Sequence, residues 1–315
     1  MESRPFFSVI VPVYNRAAFL NKALDSLMQQ TFQDFETLIV DDASTDESVA
    51  LALAHPLAAK RVIRHSQNME RCITRNRGVE ESNGQYICFL DSDDVHLPHH
   101  LETLHRHILA AGMPKAFFFT HAFDEDAQGN RAPRHCPLRG ETDWKTYFLE
   151  FTVNPQRWAV HRDVMLAHPF DPEIQICEDM DTSLRMVAAG VPVIQVPEIT
   201  TVYVAAPDSF THGAPDKWER ELTCLQAIFK RPELQPLPLA SQNRLLSMCY
   251  FHLARKAFQA EQWVQVRKMG WTSWRLFPAG YNGKTNKPLA VMLLYALPGL
   301  GPVLRSLVGF TKKLF

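Results

Sequence analysis

Short apolar runs alternate with amphipathic stretches through the first half of the chain. Phe6–Val13, FFSVIVPV, is apolar, rich in β-branched residues and too short for a helix, so it predicts a buried strand. Ala17–Gln29 follows with Phe19, Ala23, Leu24, Leu27 and Met28 near one helical face. Phe35–Val40 predicts a second strand, ending at Asp41-Asp42, and Ser44-Thr45-Asp46-Glu47 has the spacing of a capping box opening a helix. A third strand over Arg61–Arg64, a helix over Arg71–Ser82 and a fourth strand over Gln85–Leu90 complete this rhythm. Such alternation predicts an α/β fold with a mostly parallel sheet flanked by helices. Ligands bind such sheets beyond the carboxyl ends of the strands, where Tyr14-Asn15, Asp41-Asp42 and Asp91-Ser92-Asp93-Asp94 all fall.

Farther on, Phe117–Phe119 reads as a strand, and the polar segment His121–Arg139, with its Gly and Pro residues, as a loop over the site. Glu178–Gly190 has a helical pattern, and Val191–Val196 and Thr200–Val204 read as strands. After Pro207 the pattern is helical, over Lys217–Lys230, Leu239–Ala260 and Gln262–Leu276. The expected organisation is therefore an α/β domain over 1–210, a helical region over 211–286 and an apolar, basic tail over 287–315. In that tail Pro298, Gly299, Gly301 and Pro302 interrupt an uncharged run, so a membrane span, which needs about 20 apolar residues, is not expected. Lying in a membrane interface, with Arg305, Lys312 and Lys313 near headgroups, is one reading; packing on the domain is the other.

Composition narrows the class. The 315 residues are 46% apolar and 21% charged with a net charge of −1, which suits a packed protein and excludes general disorder. Nothing in that balance demands a nucleic-acid partner, and none is expected. Six scattered cysteines without a CxxC pair read as reduced thiols of a cytosolic protein, not a disulfide framework or zinc site. Pro12, Tyr14, Asn15 and Arg16 break the layout of a signal peptide, so a cytoplasmic location, peripheral to the membrane if the tail binds it, is expected.

Asp91-Ser92-Asp93 is a D-x-D motif at a strand end. Two carboxylates one residue apart can act on one ligand, one accepting from a sugar hydroxyl while the other holds Mg²⁺ or Mn²⁺. The alternative is a polar turn in which Asp94 caps the next helix. Taken with SVIVPVYNR, LIVDDAST, TRNRGVEESNGQYICFLDSDD and CEDMDTSLRMVAAG in that order, the chain resembles the inverting nucleotide-sugar glycosyltransferases of family 2, which have the GT-A fold. The resemblance covers roughly residues 5–205, and the helical region carries none.

That resemblance implies roles. Pro12 and Tyr14 would line the donor nucleotide, the Tyr14 ring packing on the base. Asp42 would accept from a base N–H, as on uracil or thymine, and Arg75 would lie near the nucleotide, where a guanidinium suits phosphate. Asp91 would face the ribose, and Asp93 would hold the cation bridging the diphosphate. In the Glu178-Asp179 pair, Asp179 would be the base that deprotonates the acceptor hydroxyl, with Glu178 touching the acceptor or supporting its loop. The implied reaction is a single displacement with inversion from a nucleoside diphosphate sugar, with UDP the expected carrier, to a saccharide or glycolipid acceptor. Relatives often carry glycine two residues after the asparagine matching Asn68, where this chain has Glu70, and a Y-R-x-H stretch where it has Tyr203-Val204-Ala205-Ala206. A water or His212 would then complete the cation's shell.

Two other classes compete. A sugar nucleotidyltransferase needs a glycine-rich basic loop after the first strand, which VPVYNRAAF lacks. A non-catalytic sugar-nucleotide or polysaccharide-binding module would not need both D-x-D and E-D. His99-His100 and His105-x-His107 read as an exposed helix face, and Trp158 as a residue on the acceptor approach.

Overall fold

A computed structural model describes residues 4–205, 216–280 and 286–298. The chain divides into two compact units, Met1–His212 and Gly213–Phe315. In the first, β1 (Phe7–Val13), α1 (Ala17–Met28), β2 (Phe35–Asp41), α2 (Ser48–Ala54), β3 (Lys60–Arg64), α3 (Glu70–Glu81) and β4 (Tyr86–Phe89) alternate. Strand β1 pairs in parallel with both β2 and β4, and β2 with β3. Val9, Val11 and Val13 belong to the core that also contains Leu20, Leu24 and Leu27 of α1. Ile10 faces the other way, against α3, where a Cβ on Gly78 would come within 2.4 Å of its Cγ2. Helices on both sides explain why β1 is buried along nearly its whole length.

The second half of this unit comprises β5 (Val95–His96), α4 (His100–Ala110), β6 (Phe117–Glu125), β7 (Arg131–Pro133), α5 (Trp144–Glu150), β8 (Trp158–His161), α6 (Arg162–Ala167), α7 (Glu178–Ala188) and β9 (Val193–Val204). The sheet runs β3-β2-β1-β4-β8-β6-β9-β5, with β7 beside β6. The expected α/β sheet between helices is present, with parallel pairing through β3-β2-β1-β4 and again between β6 and β9. Antiparallel pairing enters where β8 inserts beside β4 and where β5 joins β9.

Several expectations are corrected. The expected loop over His121–Arg139 is in part a hairpin, because β6 continues to Glu125 and pairs with β7 across the Asp126–Asn130 turn. One strand, β9, replaces the two expected over 191–204; Pro197, which lacks an N–H, sits where the β6–β9 register shifts. Ser44 does not cap α2. Its hydroxyl accepts from Asn15 N at 2.9 Å, while Ser48 Oγ accepts from Arg16 N, so these side chains tie the loop after β1 to the loop after β2. The histidines of α4 are not one exposed face: His100 is fully buried, stacked on His96 and bonded to Thr200.

In the second unit, α8 (Lys217–Phe229), α9 (Leu239–Gln259), α10 (Trp263–Leu276) and α11 (Asn286–Ala296) are described. Phe251, Ala254 and Phe258 of α9, Val266 of α10, and Leu289, Met292 and Ala296 of α11 form one buried cluster. Leu289, Met292 and Ala296 of the apolar tail are thus packed within the helical unit; Arg305, Lys312 and Lys313 lie outside the described residues. No helix among the described residues is long and apolar enough to cross a membrane.

Candidate active site

The polar residues after β1, β2 and β4 share one rim of the sheet, because those strands are parallel neighbours. Pro12 lies half-buried in β1 opposite Val40, and Tyr14 just beyond it is 46% exposed. Asn15, at φ +51, turns the chain toward α1, and its side-chain oxygen accepts from Thr45 N at 2.8 Å.

Asp42 is buried, and its carboxylate accepts from Met69 N at 2.7 Å and Glu70 N at 3.0 Å. It therefore anchors the start of α3. Each oxygen keeps a second lone pair for the base contact that the resemblance implies. Glu70 has φ +69, a left-handed conformation that costs an L residue about 1–2 kcal/mol and glycine nothing. The departure from the family glycine at this position is thus a strained residue held by Asp42. Replacing Glu70 by glycine is expected to raise the melting temperature by a few degrees, a net gain of up to about 1 kcal/mol after the entropy that glycine adds to the unfolded chain. A lower melting temperature in calorimetry would refute the strain.

Arg75 of α3 is buried, not exposed toward solvent. Its Nη1 donates to Glu178 Oε1 at 2.8 Å and its Nη2 to Asp91 Oδ1 at 2.9 Å, while the guanidinium lies over the Phe170 ring. Both terminal nitrogens are thus engaged by protein carboxylates. One planar cation thereby joins the D-x-D turn after β4 to the first turn of α7, sites 87 residues apart in sequence. Arg71 adds a longer contact to Glu178, at 3.8 Å.

Asp93 lies 3.7 Å from Arg16 Nε and is partly exposed. Asp94 does not cap the next helix. It is buried, accepting from Val204 N at 3.0 Å and from Gln156 Nε2 at 2.7 Å. Burial, then Asp91 and Asp93, push its carboxyl well above the usual range. The same Gln156 amide donates to Asp91 Oδ2, so Gln156 clamps both acids of the turn. Tyr203, where relatives have their Y-R-x-H tyrosine, lies under the Arg134 guanidinium at 4.4 Å and within electrostatic reach of Asp94 and Asp179.

Asp179 is 8% exposed in the first turn of α7 and accepts from Met180 N at 2.8 Å. Burial first, and the neighbouring Glu178 second, push its carboxyl up to about 7. A helix N-terminus favours the anion, so desolvation outweighs the dipole here. Cys177 before it has φ +64, which sets the direction in which the acidic pair enters the helix. A carboxyl titrating near neutrality is matched to taking a proton from an alcohol.

Gln156, Asp94, Arg134 and Tyr203 were not singled out as site residues. Asp94 had a signal in its place beside the motif; Gln156 and Arg134 had none, because the insertion of β8 and the β6–β7 hairpin bring them in. Trp158 is fully buried, stacked on Phe170, and is core instead of acceptor surface. His212 and Ala206 lie outside the described residues. Among the described residues no group of three or more acids, His or Cys forms a ready metal cage.

Residues 8–163 match the sequence profile of the family described as Glycosyl transferase family 2. The chain is 37% identical over 105 residues to the uncharacterized glycosyltransferase YibD of Escherichia coli K12, which covers 33% of this chain and 30% of that protein. It is 28% identical over 199 residues to the putative colanic acid biosynthesis glycosyl transferase WcaA of the same strain, covering 59% of this chain and 68% of that one. Among solved structures, S. aureus TarS 1–349 in complex with UDP-GlcNAc is similar at a TM-score of 0.63 and 16% identity, over 95% of this chain and 91% of that one. The mannosyltransferase PcManGT from Pyrobaculum calidifontis, in complex with GDP-Man and Mn²⁺, gives 0.58 and 15%, over 98% and 89%. These likenesses establish a shared fold.

Proposed function

Because this chain belongs to glycosyltransferase family 2, we propose that it transfers one sugar from a nucleoside diphosphate donor, UDP-linked, to an acceptor hydroxyl with inversion at the anomeric carbon. The observation that carries this reading is the Asp91–Arg75–Glu178 bridge, which sets a donor-side turn beside a carboxyl, Asp179, that titrates near 7. Asp179 takes the acceptor proton as the hydroxyl attacks, and Glu178, held by Arg75, keeps the start of α7 in place. Tyr14 and Asp42 receive the base, and Pro12 borders it. Asp91, with both oxygens engaged, faces the ribose as part of a rigid turn. The relatives' bound donors, UDP-GlcNAc and GDP-Man, support a nucleotide-sugar substrate.

A divalent cation fits the donor set. Asp91, Asp93 and Asp94 crowd one turn, and burial, then the two neighbouring acids, drive Asp94 toward its neutral form. Mg²⁺ or Mn²⁺ needs only one or two carboxylates when phosphates and water supply the rest. Asp93, the second acid of the D-x-D turn and partly exposed, would hold it, and the ion would neutralise charge developing on the leaving diphosphate. Asp93→Ala is expected to weaken Mn²⁺-dependent donor binding about tenfold or more in calorimetry, the loss of one charge-assisted ligand. Unchanged metal dependence would contradict the assignment. Saccharide or glycolipid acceptors at the cytoplasmic membrane face complete the reading. Nucleoside diphosphate release from labelled nucleotide sugars, with and without EDTA, tests it: pyrophosphate release would indicate a nucleotidyltransferase, and binding without turnover a binding module.

A further inference from the structure

Charge is distributed unevenly along the chain. Residues 262–315 contain eight Lys or Arg and no Asp or Glu, which leaves residues 1–261 with 25 basic against 34 acidic residues. Helix α10 lies within the basic stretch. Its inner face, Val266, Gly270 and Ser273, is buried. The outer face repeats at i, i+4, i+7 and carries Val264, 68% exposed, then Lys268, Trp271, Trp274 and Arg275. Trp271 and Trp274 are 48% and 45% exposed, with ring centroids 5.6 Å apart in an edge-to-face pair.

We propose that this face of α10 docks on an anionic lipid bilayer, the two indoles entering the headgroup layer while Lys268 and Arg275 meet lipid phosphates. Exposed tryptophans are costly in water and favoured at the membrane interface, where the ring is buried and the N–H stays wet. Cationic residues add attraction to an anionic surface that falls within a Debye length. A soluble saccharide would suit the indoles but gives no account of a stretch with eight cations and no acid. The proposal gives a defined surface to the membrane part of the proposed function, and vesicle binding is measured without donor or turnover.

The test is co-sedimentation of the full chain with vesicles of phosphatidylcholine alone and of phosphatidylcholine and phosphatidylglycerol in equal parts, with Trp fluorescence read in parallel. Binding is expected only to the anionic vesicles, with a blue shift and loss at high salt. W271A/W274A and K268E/R275E are each expected to weaken it about tenfold or more while soluble donor turnover is unchanged. Equal binding to both vesicles, binding to neither, or full binding by both variants would overturn the proposal. A dimer in gel filtration that W271A/W274A dissolves, without vesicle binding, would assign the face to a second copy of the chain. Vesicle binding by a chain lacking turnover would uphold this surface and refute the enzymatic reading.

Discussion

Asp179→Asn is expected to lower kcat at least about 100-fold while donor affinity changes little, the range for loss of a positioned general base. The wild-type kcat/KM should rise with pH through an apparent pKa of about 7, because only the carboxylate can take the acceptor proton and burial holds it protonated below that pH. Stability carries the opposite sign. A carboxyl raised from 3.8 to about 7 on folding binds its proton more tightly in the native state. Its contribution is fully present below pH 4 and is lost as pH rises through 7. At pH 8 the variant, which needs no proton to be neutral, should therefore melt several degrees above the wild type, and the gap should narrow at pH 5 and close below about pH 4. Less activity with more stability in alkaline buffer is a pair of results that simple unfolding cannot mimic. Near-normal turnover would remove Asp179 from its role.

Arg75→Met should produce the largest stability loss of any single change in this unit. The guanidinium is buried between Asp91 and Glu178, and removing it strands two carboxylates. Breaking a buried pair typically costs about 3–5 kcal/mol, here toward the lower end because Asp91 is partly exposed, which lowers the melting temperature by on the order of 10 °C. Turnover should fall about 100-fold or more, because Glu178 and the first turn of α7 shift with it. Arg75→Lys should restore little, since one ammonium cannot span two carboxylates as a fork does. Recovery of both stability and activity by lysine would show that charge alone, not the bridge, matters at this position.

Much of this arrangement was legible before any coordinates. The apolar runs over 6–13, 35–40 and 85–90 are strands because their β-branched residues leave helix formation unfavourable and both faces are covered. The acids at their ends could only gather at one rim once those strands were parallel neighbours. The Asp91-Ser92-Asp93 turn and the Glu178-Asp179 pair stood out through the family resemblance that the ordered motifs carry together. Where the reading went astray, a local pattern was overruled by a distant partner. Ser44 has the spacing of a cap, yet its hydroxyl goes to Asn15 in another loop. His121–Arg139 is polar enough for a loop, yet β6 extends into it because β7 folds back to pair. Trp158 could have faced a sugar, but β8 threads between β4 and β6 and buries it.

The linear order of residues was enough to settle the alternation of strands and helices and the family resemblance, and to single out the candidate acids, since these depend on periodicity and on motifs read within a few residues. It was silent on the partners of those acids. Arg75 bridging Asp91 and Glu178, Gln156 clamping Asp91 to Asp94, and the carboxyl of Asp179 pushed up to about 7 all follow from burial and from contacts between segments scores of residues apart. Hydrogen-bond geometry and desolvation exist only once the chain has closed on itself, so no reading along it could supply them.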